Sequence, residues 1–172
     1  MSRFLQVLLL VAFMVVVPAA LLSFYTASSA PEARSAPTPI PLPGVGEAVE
    51  ANGWRFVVTG MERSKELQWG TVSTDTAIGE WVIVRLTVTN LGRSTASLQP
   101  SAFSLVDHEG RRYEVSLRSI LAAKRFGVVE LDDPMPPGVP AETMLAFDVH
   151  PEATGLRLRL GTTGRAILLS DE

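Results

Sequence analysis

His108 and His150 are the only imidazoles in the 172-residue chain, and there is no cysteine. Zinc sites need several imidazole or thiolate ligands converging on one point, so this inventory argues against one. His108 sits in Asp107-His108-Glu109-Gly110 and His150 precedes Pro151, and both read as polar turn residues. The carboxylates of that turn and of Asp132-Asp133 are donors of the kind calcium takes. Neither run has the spaced acidic loop of an EF-hand, and they read as solvated turn residues. Met61, Met135 and Met144 carry thioethers, which suit copper, but scattered singly they read as core or loop filler. A serine triad would have to recruit one of the two histidines, and no sequence context selects either. Gly44-Val45-Gly46 lacks the third glycine and the following helix of a dinucleotide loop. The expectation is a non-enzymatic chain with no catalytic residue, no metal and no cofactor.

Charge narrows the partners. Fifteen Lys and Arg stand against 18 Asp and Glu, for a net charge of −3, with no basic cluster to attract nucleic acid or an anionic membrane surface. The absence of cysteine also removes any disulfide framework or lipid-modified N-terminal cysteine, so an apolar core must hold the domain together.

Phe4 to Tyr25 reads FLQVLLLVAFMVVVPAALLSFY behind a single Arg3, followed by small residues in TASSA. This is the pattern of a bacterial secretory signal, and it is also long enough to span a bilayer. A cut after Ser29 puts Ala27 and Ser29 at the two positions that must be small. A cut after Ala30 would leave Pro31 across the scissile bond, where its tertiary amide resists cleavage. Residues 1–30 are therefore expected to be either a removed signal or a retained anchor, with the rest of the chain extracytoplasmic, secreted or held at the membrane only by that helix. Residues 31–44 follow as a linker, with prolines at 31, 37, 39, 41 and 43. Alternating prolines favour polyproline II, which reaches roughly 40 Å at ~3.1 Å per residue.

From residue 45 to 172 the apolar period is two, the period of strands. Trp54, Phe56 and Val58 share a face, as do Val82, Val84, Leu86 and Val88 opposite Arg85, Thr87 and Thr89. Phe103 and Leu105 alternate, as do Tyr113, Val115 and Leu117, and then Leu145, Phe147 and Val149 around Asp148. Leu156, Leu158 and Leu160 follow, and AILL comes last. Asn90-Leu91-Gly92, the Asp107–Gly110 turn, Pro134–Gly138 and Gly161–Gly164 punctuate the strands. Ser119 to Arg125 reads as a helical turn. Seven to nine short strands of this kind predict a two-sheet antiparallel β-sandwich, with a closed barrel as the rival architecture. Ser64 to Gly79 reads as a long polar loop, and Trp69, with Gln68 and Thr71 beside it, reads as either a partner-binding element or a side chain folded over the core.

Four features come in order: GEWVIVRLTVTNLG, FSLVDHEGRRYEV, the stretch PMPPGVP, and ETMLAFDV followed by LRLRL. Together they resemble the DUF4352-type domain of the immunoprotective extracellular, immunoglobulin-like superfamily. Val88, Asn90, Phe103, Leu105, Asp107, Gly110 and Tyr113 fill the places of a V-x-N strand end and an F-x-L-x-D-x-x-G-x-x-Y hairpin. Pro137, Gly138, Phe147 and Val149 match its later turn and strand. The resemblance implies an all-β, immunoglobulin-like sandwich on an exported chain, and it carries no functional residues. The functional expectation is an exported, non-enzymatic binding module with an unknown extracytoplasmic protein or glycan partner. The alternative is a membrane-anchored structural accessory subunit of a cell-envelope complex.

Overall fold

A computed structural model describes residues 41–169. The apolar N-terminal run and most of the proline-rich linker lie outside the described residues. Eight strands form two four-stranded antiparallel sheets. The first contains β1 (Ala48–Ala51), β2 (Trp54–Gln68), β3 (Thr74–Asn90) and β6 (Pro140–Val149), in the order β1-β2-β3-β6. The second contains β4 (Phe103–Val106), β5 (Arg112–Glu114), β7 (Arg157–Leu160) and β8 (Arg165–Leu168), in the order β5-β4-β7-β8. One helix, α1 (Arg118–Phe126), lies between β5 and β6.

The expected inward residues make the main core. Phe56, Val58, Val82, Val84, Leu86 and Val88 from the first sheet meet Phe103, Leu105, Leu158, Leu160 and Ile167 from the second. Phe56 and Phe103 meet edge to face across the gap, with ring centroids 5.7 Å apart and planes at 88°. That arrangement aligns the ring quadrupoles favourably. Each such fully buried side chain contributes ~1.5–3 kcal/mol relative to exposure.

The first sheet, unlike the expectation of a polar outer face, is buried on both sides at its centre. Trp81 and Ile83 alternate with Val82 and Val84, and all four are buried. Trp81, Ile83, Leu67, Met144 and Ala146 form a second cluster with Ala122 and Ala123 of α1. The buried helix positions are Ser119, Ala122 and Ala123, spaced to share one face and small enough to bring the backbone close to the sheet. Gly127 ends the helix with φ 68°, and its N–H reaches back to the carbonyls of Ala123 and Lys124. That left-handed cap favours glycine.

Two expectations change here. Ser64–Gly79 is not a loop: β2 and β3 continue through it, pairing Glu66 with Thr76, Leu67 with Asp75 and Gln68 with Thr74. Buried Leu67 supplies the apolar anchor, and only the tip between Gln68 and Thr74 turns, where the N–H groups of Trp69 and Gly70 donate to the Ser73 carbonyl. Leu117 does not point inward either. β5 stops at Glu114, and Leu117, as the residue before α1, is 74% exposed.

The β3–β6 ladder ends at Glu80 and Val149. Beyond it, Asp148 replaces a strand partner by accepting from the Ile78 and Gly79 N–H groups, both at 2.9 Å. Gly79 is required where β3 passes β6, because a Cβ there would lie 1.9 Å from the Val149 carbonyl oxygen. Gly79→Ala should therefore cost about 1–3 kcal/mol in denaturant unfolding. Gly60→Ala, where a Cβ meets nothing within 4 Å, should leave stability within about 0.5 kcal/mol of wild type.

Candidate functional site

Because β2 and β3 outrun β6, their paired ends form an arm, and α1 braces it. The Arg118 guanidinium lies 4.9 Å from the centroid of the Trp69 ring, a cation–π stack. Its Nε also pairs with the Asp75 carboxylate at 2.6 Å. Arg125 donates to Gln68 Oε1 at 3.3 Å, and Trp81 Nε1 donates to the Asp75 carbonyl at 3.1 Å. Trp69 is half-buried and packs against the second cluster. Its indole N–H is buried and has no hydrogen-bond partner among the described residues.

The structure thus brings Trp69 and Gln68 together against α1 and leaves Thr71 exposed at the tip. Val72 beside it is 95% exposed, and Ile78 on the arm is fully exposed. Trp69 is the post on which the arm is clamped, and the free apolar side chains are Val72 and Ile78. Their β-branched types inside a polar stretch are a signal in the sequence that a loop reading hides.

A second feature had no signal in the sequence. Beside the C-terminal end of α1, on the outer face of the first sheet, lies a cleft of about 270 Å³. Phe126, Val128 and Met144 give it an apolar wall, and Thr59, Arg85 and Glu142 give it a polar one. These residues come from five separate elements or connections, so no local spacing announces them.

The residues weighed for metal or acid chemistry lie elsewhere. His108 and His150 are both exposed. His108 Nδ1 contacts Thr154 Oγ1 at 3.2 Å, and His150 Nδ1 accepts from the Glu152 N–H at 3.3 Å. Met135 is buried in the main core and Met144 in the second cluster, while Met61 packs against the main core. Among the described residues no three His, Asp or Glu side chains converge as a metal site would require.

Asp107 is not the solvated turn residue expected, since its side chain is fully buried. It accepts from Arg111 N–H at 2.9 Å, Arg111 Nε at 2.6 Å and Tyr113 Oη–H at 2.9 Å. Burial alone would raise its pKa. The hydrogen bonds from Arg111 and Tyr113, with the Arg111 charge, outweigh burial and hold it at about 2. Burial and the bond donated to Asp107 push the Tyr113 phenol up. Gly110, with φ 83°, makes the turn that lets Arg111 and Tyr113 fold back onto the carboxylate.

Asn90 plays the matching part at the other end of the sandwich. Buried, it donates through Nδ2 to the carbonyls of Ser94 at 2.8 Å and Met135 at 3.0 Å, and accepts from Gly92 N–H at 2.8 Å. Its own carbonyl accepts from Gly138 N–H at 2.8 Å, which joins the Pro137-Gly138 turn to the end of β3.

These nodes occupy the Asn, Asp, Gly, Tyr and Pro-Gly places singled out in the sequence, and the model of the domain of unknown function DUF4352 matches residues 43–165. The chain belongs to the DUF4352 family. Solved structures show the same fold at low identity. The yjhA protein from Bacillus subtilis is 16% identical with a TM-score of 0.55, covering 75% of this chain and all of that one. The secreted protein MPT63 from Mycobacterium tuberculosis is 15% identical with a TM-score of 0.51, covering 79% of this chain and all of that one. A conserved hypothetical protein from Bacillus anthracis is 8% identical with a TM-score of 0.52, covering 70% and 90%. No curated protein sequence matches the chain. Of the pattern residues in this DUF4352 member, Asn90, Asp107, Gly110, Tyr113 and Gly138 hold turns together, the apolar ones fill the main core, and none of them lines the arm tip.

Because the Asp107 pKa is depressed in the fold, its contribution to stability is complete above the unfolded value near 4 and is lost as pH falls from there towards about 2. Asp107→Asn should lower Tm at pH 7, by roughly 5–10 °C, and flatten the Tm profile between about pH 4 and pH 2. Thermal unfolding across that range checks both.

Proposed function

We propose that this DUF4352 chain is an extracytoplasmic, non-enzymatic interaction module that meets a protein partner through the β2–β3 arm. The observation that carries the reading is the brace. One cation–π stack, one ion pair and a side-chain hydrogen bond fix an arm whose tip adds nothing to the main core. Fixing a projecting element before contact lowers the entropy lost on binding. The arm then presents Val72 and Ile78 with polar neighbours around them, a small apolar anchor set within a polar rim.

The extracytoplasmic part of the reading rests on the uncharged N-terminal run and the proline-rich linker. It is supported by the secreted protein MPT63, whose fold is similar. Among the described residues no helix is long and apolar enough to cross a membrane.

A photo-crosslinking residue placed at Val72 of the intact chain should yield one discrete envelope adduct in an exporting bacterium. Ile78→Asp should abolish it while leaving Tm within ~2 °C of wild type, because Ile78 packs on nothing. The same probe at exposed Glu109 should give none. Equal adducts from both positions would remove the arm from the reading.

A further inference from the structure

We propose that the cleft beside the C-terminal end of α1 binds a single ring of a neutral carbohydrate. It is separate from the arm and does not depend on the arm's role. At about 270 Å³ it falls just under the ~300–1,000 Å³ of pockets that hold drug-sized ligands, which sets its occupant at the size of one ring.

Its chemistry is divided in two. Phe126 is 50% exposed although it closes a helix whose other face is buried, and with Val128 and Met144 it offers an apolar wall. Beside these, Arg85 can only donate hydrogen bonds, Glu142 can only accept them, and Thr59 does both. A pyranose has this same division, an apolar C–H face and an edge of hydroxyls that both donate and accept. The charges of Arg85 and Glu142 offset one another, so the cleft favours neither a phosphate nor a cation. Arg85 is held only loosely, by an exposed pair with Glu62 at 3.4 Å, and can turn to a ligand at little cost.

A peptide fits less well. Extended peptides gain affinity by adding to a free sheet edge. Here the floor is the face of strands already paired, with Arg85 opposite Met144 and Thr87 opposite Glu142 in the β3–β6 ladder.

The test is a residue-resolved NMR titration of the intact chain with two neutral sugars, the N-acetylglucosamine tetramer and maltotetraose. A capped neutral tetrapeptide and inorganic phosphate serve as comparison probes. At least one sugar should give saturable shifts confined to Thr59, Arg85, Phe126, Val128 and Glu142 to Met144, with a Kd on the order of 1 mM. Phe126→Ala and Arg85→Gln, both at exposed side chains, should each weaken it roughly tenfold with the remaining spectrum unchanged. The proposal is overturned by an absence of saturable shifts with either sugar, by shifts that Phe126→Ala leaves intact, or by binding of the peptide or phosphate in place of sugar.

Discussion

Strand β3 is apolar on both sides between Trp81 and Val84, and a strand of that kind has to be covered twice. One side is covered by the second sheet, as in any sandwich. The other is covered by α1, which can lie close only because its inward positions are Ser119, Ala122 and Ala123. The features that distinguish this domain follow from that second covering. α1 supplies the arginines that clamp the arm, and its C-terminal end supplies the aromatic wall of the cleft. A sandwich with a polar outer face at Trp81 and Ile83 would need no helix, and it would have neither the brace nor the cleft.

The buried polar nodes do a different job. Asp107 with Arg111 and Tyr113, and Asn90 with Gly92, Ser94, Met135 and Gly138, satisfy backbone groups where the chain reverses direction. Each closes a turn that would otherwise bury unpaired donors and acceptors. They belong to the fold, which is why membership of the DUF4352 family fixes architecture and leaves the ligand open. The arm tip and the cleft are built from residues outside those nodes.

Much of the fold was legible in the sequence because alternation needs only neighbours along one strand. Val82 to Val88, Leu145 to Val149 and Leu156 to Leu160 point where their period places them. The helix was readable at Ser119–Arg125, although its docking was not. The run Trp81-Val82-Ile83-Val84 carried the clue, since continuous apolar residues mark a strand buried on both faces. Ser64–Gly79 misled because its polar residues suggest a loop, whereas pairing across the arm depends on register, which no local window contains. Trp69 was noticed for its type, but its clamp required Arg118, 49 positions further along the chain. The cleft was invisible for the same reason, being assembled from β2, β3, β6 and the end of α1.

The central claim is that α1, through its contact with the outer face of the first sheet, holds the arm in place. Hydrogen exchange measured residue by residue on wild type and Ala123→Asp tests it most directly, because a carboxylate at that buried position cannot remain against Trp81 and Ile83. The account predicts that amides of Leu67, Trp69 and Asp75, which face across the arm, lose protection in the variant, while those of Leu105 and Leu158 in the second sheet keep theirs. Arm amides as well protected in the variant as in wild type would contradict it.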